Sequence, residues 1–234
     1  MIRCSASSCQ RGAILLALAG LLVACAAPRV VPPAPPAATV FEAQEDFYRR
    51  AQSMGQKVWP IDAQGSLIRI TVHRDGTLAR LGHDHVIASR NLHGFVAPEA
   101  GRADFYFRLD QLSVDEPALR AQAGFDSQPS AEAIDGTRLN MLTRALDARR
   151  FPFVFIHVTR RAPTAPATTA ITLNGVTRTM DVALQTESKE KGITVNGTMS
   201  LKQSDFGIIP FAVLGGAIAV QDRLDLQFRI VAGR

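Results

Sequence analysis

Cysteine is scarce in this sequence, and where it stands excludes several kinds of site. The 234 residues contain three cysteines, Cys4, Cys9 and Cys25, and none follows position 25. The rest of the chain therefore has no free thiol, no disulfide and no C-x-x-C pair. A lone cysteine at the end of an apolar run has a different explanation, as the attachment point of an anchor.

Recognisable catalytic motifs are missing as well. The sequence has no nucleophile elbow, no H-E-x-x-H, no phosphate-binding loop and no pair of carboxylates that spacing alone would position for acid–base catalysis. The formal net charge is +5, but Lys and Arg are scattered, and no basic stripe alternates with aromatic residues. We therefore predict a protein that is not an enzyme, needs no cofactor and does not bind nucleic acid.

The N-terminus has the pattern of an export signal. Arg3 and Arg11 provide a positive region ahead of residues 13–24, which carry no charge. This apolar run is shorter than the ~20 residues that a membrane-spanning helix needs, and it has the length of the apolar region of a secretory signal. Residues 1–24 are predicted to be a signal peptide.

The signal ends in Leu22-Val23-Ala24-Cys25, which resembles the bacterial lipobox. In that motif the cysteine is acylated and becomes the new N-terminus, and several acyl chains together give stable membrane attachment. Ala26 follows the cysteine, which by resemblance to Gram-negative sorting rules favours the outer membrane. The sequence thus predicts an exported lipoprotein, lipidated at Cys25 and held at the periplasmic face of a membrane.

Three further segments follow the lipidation site. Residues 25–40 are rich in proline and are predicted to form an extended tether. Residues 41–56 are interpreted as a short helix or linker that ends near Gly55. The folded domain is expected to occupy residues 57–234.

Alternation of apolar and polar residues dominates that domain and predicts a mainly β fold. Asn174-Gly175 lies between two such runs and indicates a two-residue hairpin turn, since both turn positions favour positive φ. One helix is expected at residues 130–147, with Ser130 as its N-cap. One-sided strands joined by tight turns indicate antiparallel sheets with one buried face. The predicted strands are 67–73, 104–110, 153–158, 170–173, 180–186, 193–202 and 223–230.

At this point several motifs, in the expected order, resemble the YceI-like family of periplasmic lipid and polyisoprenoid binders. The resemblance covers roughly Val58 to the C-terminus. G-V-T-R and S-D-F-G-I are its most specific pair. The matching segments are Trp59-Pro60-Ile61-Asp62 followed by Ser66, Arg149-Arg150-Phe151-Pro152, Leu173-Asn174-Gly175-Val176-Thr177-Arg178 and Ser204-Asp205-Phe206-Gly207-Ile208.

The resemblance implies an extended eight-stranded antiparallel barrel of lipocalin type with one or two flanking helices. Family members enclose an isoprenoid or acyl chain in an apolar tunnel, so a long-chain lipid ligand is the expected partner. Alternation cannot separate a lined tunnel from a packed core, and a structural or stress-response lipoprotein with a filled barrel stays open. Whether the chain forms a homodimer is also open. The candidate tunnel residues are Ile68, Ile70, Val72, Phe105, Phe107, Leu109, Phe155, Leu184, Val195, Met199, Leu226 and Phe228.

The segment Leu81-Gly82-His83-Asp84-His85 departs from the common family pattern. His83 and His85 are two residues apart and share a face if they lie on one strand. Because imidazole suits zinc or copper, a periplasmic metal-binding domain centred on this pair is the alternative function. The other interpretation is a polar network at the barrel rim, or a hydrogen bond to a ligand headgroup.

Residues 208–219 form an apolar segment that contains Pro210 and Gly215-Gly216. Three interpretations are open: a buried connection between strands, a flap over a tunnel mouth, or a lip that touches a membrane.

Overall fold

The computed structural model describes residues 37–233 and the side chains of residues 44–233. Its first element is helix α1, Ala37–Ser53. Gly55 follows the helix with a φ of 79°, a conformation that favours glycine. The helix therefore begins within the predicted tether, and residues 37–40 are helical rather than extended. The signal peptide, Cys25 and the remainder of the tether lie outside the described residues.

Antiparallel β-strands make up most of the fold. Alternation located most of the long strands, and the structure extends several of them by a few residues. The predicted strand at 180–186 is divided at Ala183, and strands β1, β3, β4, β6 and β12 were not predicted. The strands are β1 Trp59–Pro60, β2 Leu67–Asp75, β3 His85–Ser89, β4 His93–Ala97, β5 Arg102–Arg108, β6 Ser113–Val114, β7 Phe153–Thr159, β8 Ala167–Leu173, β9 Val176–Val182, β10 Leu184–Lys189, β11 Gly192–Lys202, β12 Ala212–Val213 and β13 Ile218–Gly233.

The strands form two sheets. Sheet 1 has the order β1-β4-β5-β7-β8-β9, and sheet 2 the order β10-β11-β13-β2-β3-β6, with β12 paired to β13. Two short connections carry the chain from one sheet into the other: residues 90–92 join β3 to β4, and Ala183 alone joins β9 to β10. Because both connections are short, the strand ends that they join in the two sheets lie close together.

The hairpin between β8 and β9 turns at Asn174 and Gly175, as predicted. Both residues have a positive φ, 52° for Asn174 and 74° for Gly175. A two-residue type I′ turn, whose twist matches that of the flanking strands, requires positive φ at both positions. The β8–β9 register runs from Ala167↔Val182 to Leu173↔Val176 without a break.

The predicted helix at 130–147 is present in two parts, α3 Ala131–Asn140 and a π-helical turn Met141–Ala145. Ser130 caps it, since its Oγ accepts a hydrogen bond from the backbone N–H of Ala133 at 3.3 Å. Helix α2, Pro117–Gln122, was not predicted; it is short, and Pro117 occupies its first turn. None of the helices within residues 37–233 is both long and apolar enough to cross a membrane.

Helix α1 packs on the outer face of sheet 1 through Tyr48, which is only 2% exposed. The Tyr48 hydroxyl donates a hydrogen bond to Asp104 Oδ2 at 2.7 Å, and Arg102 Nε donates to the same oxygen at 2.6 Å. His157 Nδ1 lies 2.6 Å from the other oxygen. Burial, and then the negative charge of Asp104, raise the pKa of Tyr48 well above the ordinary tyrosine value.

Tyr48→Phe is expected to lower the free energy of unfolding by about 1–2 kcal/mol, because it removes a buried charge-assisted hydrogen bond. Since the pKa of Tyr48 is raised on folding, this contribution is complete below the unfolded tyrosine pKa of about 10 and is lost as the pH rises above it. Urea unfolding at neutral and alkaline pH measures both effects. If the difference in unfolding free energy between the wild type and Tyr48→Phe does not shrink at alkaline pH, the stabilising hydrogen bond assigned to Tyr48 would be contradicted.

Candidate ligand-binding cavity

The two sheets enclose a cavity of about 1010 Å³. Ligand pockets in proteins range from ~300 to 1,000 Å³, so this one is large. Its wall consists mainly of the apolar side chains of alternate strand residues, and many of them also form the largest buried apolar cluster of the described residues. The interior is therefore a lined space rather than a fully packed core, which counts against the alternative of a filled interior.

Every predicted tunnel residue except Phe155 lines this cavity. Three strands of sheet 2 contribute side chains at matching positions, as in the cross-strand row Ile70, Leu226 and Met199. The predicted residues that line the cavity are Ile68, Ile70, Val72, Phe105, Phe107, Leu109, Leu184, Val195, Met199, Leu226 and Phe228.

The assignment of Phe155 to the cavity wall was wrong. Strand β7 turns Val154, Ile156 and Val158 toward the cavity, so Phe155 lies on the other face of sheet 1. There its ring lies 5.9 Å from that of Phe153 and 6.3 Å from that of Tyr106. The wall residues that sequence reasoning missed on β7 and β8 are Val154, Ile156, Val158, Thr159, Thr169, Ile171 and Leu173.

Gly197 allows Phe228 to pack across strand β11. A Cβ at position 197 would come within 2.4 Å of the Phe228 ring, closer than any real contact. The glycine interrupts the apolar alternation of β11 because the Phe228 ring occupies the space of its missing side chain.

One end of the cavity opens to solvent. All exposed residues of the wall lie there, at the β4–β5 turn, at the start of the β7–β8 loop and on β10. Arg160 links two of these segments, because it donates hydrogen bonds to the Ala165 carbonyl and to Thr186 Oγ1, both at 2.9 Å. The exposed wall residues of this open end are Glu99, Ala100, Thr159, Arg161, Ala162, Pro163, Thr186 and Ser188.

The opposite, closed end is covered by α3, the π-helical turn and Phe211. The Asn174 amide donates to the Phe206 carbonyl at 3.4 Å and so links the β8–β9 turn to the chain that follows β11. The apolar segment 208–219 passes here. Ile208 is buried and Phe211 lines the cavity, whereas Ile209 is 84% and Leu214 71% exposed. The segment is therefore not a fully buried connection.

A buried polar network adjoins this closed end at strand β3. His85 lines the cavity, and its Nδ1 lies 2.6 Å from Asp115 Oδ2. The other Asp115 oxygen accepts hydrogen bonds from the Val86 N–H at 2.9 Å and from Arg120 at 2.7 Å. Burial would raise the pKa of Asp115, but the hydrogen bonds from His85, Val86 and Arg120 outweigh it and hold the pKa below the ordinary value.

The alternative metal site at His83 and His85 finds little support in this geometry. Their ring centroids lie 6.3 Å apart, but His83 is exposed and Nδ1 of His85 is engaged by Asp115. Asp84 contacts His73 and Arg74 instead. Within residues 37–233, no three His, Cys, Asp or Glu side chains come together as metal ligands do.

Comparison with known proteins agrees with the two-sheet architecture. The model of the YceI-like domain matches residues 59–232, most of the chain. The chain belongs to the YceI-like family. No curated protein matches it.

Two solved structures have the same fold as this YceI-like protein. One is a polyisoprenoid-binding domain from Saccharophagus degradans that is implicated in plant cell wall breakdown; it is 12% identical to this chain and superposes with a TM-score of 0.54. The match covers 75% of this chain and 97% of that domain. Burkholderia cenocepacia BcnA is 14% identical with a TM-score of 0.52, covering 74% of this chain and 99% of its own. At such identities the likeness establishes the fold.

Proposed function

We propose that this YceI-like protein is a binding protein, not an enzyme, that holds one long-chain lipid, a polyisoprenoid or a fatty-acyl molecule, in its cavity. The observation that carries the proposal is the apolar cavity of about 1010 Å³ with a single exposed end. The polyisoprenoid-binding domain of Saccharophagus degradans, which has the same fold, supports the ligand class.

The energetics favour a long apolar chain. Each CH₂ moved from water into such a cavity contributes about 0.8 kcal/mol, so a long chain offsets the cost of association and of its own ordering. Apolar side chains such as Phe105, Ile156 and Leu226 dominate the middle of the wall. Polar and charged groups lie at its two ends. This distribution suits a molecule with a long tail and a small polar group.

The two sheets are proposed to close into an eight-stranded barrel. Counting β3–β4 and β9–β10 as two continuous strands, the order β2, β3–β4, β5, β7, β8, β9–β10, β11, β13 returns to β2 through antiparallel pairs. Such a barrel has an interior wide enough for one ligand.

Attachment to a membrane completes the proposal. The lipobox-like Leu22-Val23-Ala24-Cys25 supports a chain that is exported, acylated at Cys25 and held at the periplasmic face, with Ala26 favouring the outer membrane. A binding protein held there would take up lipid from the adjacent bilayer.

Mass spectrometry of the full chain, produced in a Gram-negative host, tests both parts. Under denaturing conditions we expect a mature chain that begins at acylated Cys25, and the Cys25→Ser variant should lack that mass. Under native conditions, followed by organic extraction, we expect an isoprenoid or acyl molecule in near-stoichiometric amount. An unliganded mass that stays unchanged after incubation with polyprenols and fatty acids would exclude the carrier function.

A further inference from the structure

The closed end of the cavity is polar, which is unexpected for a site that only accommodates an apolar tail. His85, Thr137, Asn140 and Gln203 all line it. Gln203 is already buried and donates to the Gln221 carbonyl at 2.8 Å. An apolar chain end placed against His85, Thr137 and Asn140 would remove their polar atoms from water without supplying hydrogen bonds, and each such loss costs free energy. A ligand whose polar group enters first avoids that cost.

His85 is the most firmly held of these side chains. Its ring is 13% exposed, while the Asp115 side chain is fully buried and that of Arg120 is 2% exposed. Arg120 also donates to the Asp84 carbonyl at 2.5 Å and to the Ser127 carbonyl at 2.9 Å. Asp115 and Arg120 thus form a charge-balanced pair, and through Asp115 this pair fixes the position of the His85 ring.

This arrangement selects the tautomer of His85. An ionised Asp115 can only accept, so the proton of the 2.6 Å contact belongs to His85 Nδ1. In a neutral imidazole the other nitrogen, Nε2, then carries the lone pair and accepts a hydrogen bond. Among the described residues no hydrogen bond reaches Nε2, which leaves it available to a molecule in the cavity.

Resting on the proposed function, we infer that His85 Nε2 accepts a hydrogen bond from the hydroxyl of a long-chain alcohol or phenol that enters the cavity headgroup first. The tail of this ligand extends along the apolar wall toward the open end. A hydroxyl matches the acceptor, and an uncharged headgroup suits a buried site whose Asp115 and Arg120 already balance each other. An anionic headgroup would instead need a positively charged imidazole at His85.

Three probes with the same chain separate these headgroups: hexadecan-1-ol, its methyl ether and palmitate. Binding to the full chain is measured by displacement of diphenylhexatriene, an apolar fluorescent probe. The wild type should prefer the alcohol to the methyl ether, which lacks the O–H donor. His85→Asn, whose amide can still donate to Asp115 but which has no atom at Nε2, should weaken alcohol binding about tenfold and leave methyl ether binding unchanged.

His83→Asn is the matched control, since His83 is exposed and is not part of the cavity wall; it should change neither affinity. Equal losses for alcohol and ether in His85→Asn, or a preference for palmitate that depends on His85, would overturn the assignment while leaving the carrier function intact. A wild type that binds none of the three probes would overturn both.

Nitrogen NMR of the wild type measures the protonation of the His85 ring directly, so its result does not depend on how the His85→Asn variant folds. The His85 ring should show a protonated Nδ1 and an unprotonated Nε2 in the unliganded protein. Adding hexadecan-1-ol should shift the Nε2 resonance in the direction expected for a new hydrogen bond, and the methyl ether should not. A protonated Nε2, or identical spectra with both probes, would contradict the inference.

Discussion

Met199→Trp is expected to weaken lipid binding at least about a hundredfold while the protein stays folded. Met199 lies in mid-strand on β11, pairs with Leu226 and faces the cavity. An indole there would occupy space that the ligand chain needs. Excluding three or four CH₂ groups, at about 0.8 kcal/mol each, removes roughly 3 kcal/mol of binding free energy, which corresponds to about a hundredfold.

The stability of this variant should be unchanged or slightly higher. An added ring normally overpacks a core, but here it enters a cavity of about 1010 Å³ and gains contacts with the opposite wall. Thr198→Trp is the matched control, because Thr198 is the adjacent residue on the exposed face of the same strand. Displacement of diphenylhexatriene and urea unfolding of both variants measure the two effects. Equal affinity in Met199→Trp and Thr198→Trp would mean that lipid binds elsewhere.

The wall of the cavity could be predicted from sequence wherever one face of a strand is apolar and the other polar. Strands β5, β11 and β13 satisfy this condition, and every tunnel residue that was predicted on them lines the cavity, although further wall residues of the same strands, such as Ile193 and Leu224, were not among the candidates. Strand β7 does not: Phe153 and Phe155 on one face and Val154 and Ile156 on the other are all apolar, so alternation gives no preference between the faces. The outer aromatic residues pack with Tyr106, a contact that only the pairing of β5 with β7 reveals.

A polar network around residues 81–85 was one interpretation of the sequence, but the partners of His85 could not have been predicted. His85 and Asp115 are 30 positions apart, and they meet because β3 pairs with β6, a strand of only two residues. Asp115 adopts a positive φ of 54° directly after that strand, which turns its carboxylate toward β3. A strand so short produces no alternation, and an aspartate in a loop ordinarily indicates only a turn.

The network has a second consequence, for stability. Asp115→Asn is expected to lower the free energy of unfolding by about 3–5 kcal/mol, since removing one member of a buried ion pair leaves the other charge uncompensated. Arg120 has only 2% of its side chain exposed, and its other hydrogen bonds among the described residues go to the Asp84 and Ser127 carbonyls, neither of which carries a charge. Asparagine tolerates the positive φ of position 115 at least as well as aspartate does, so backbone strain does not contribute.

Urea unfolding compares this variant with two others. Glu116→Gln removes the neighbouring carboxylate, which is one-third exposed in its ion pair with Arg90, and should cost less than about 1 kcal/mol. Arg120→Met added to Asp115→Asn should recover much of the loss, because no unpaired charge then remains buried.

Since folding lowers the pKa of Asp115, its contribution is complete above the ordinary carboxyl pKa and is lost as the pH falls through the lowered value, so the unfolding free energies of the wild type and Asp115→Asn should converge in acid. If Asp115→Asn costs no more than Glu116→Gln, the pair does not stabilise the fold and the rigid support proposed for His85 would lose its basis.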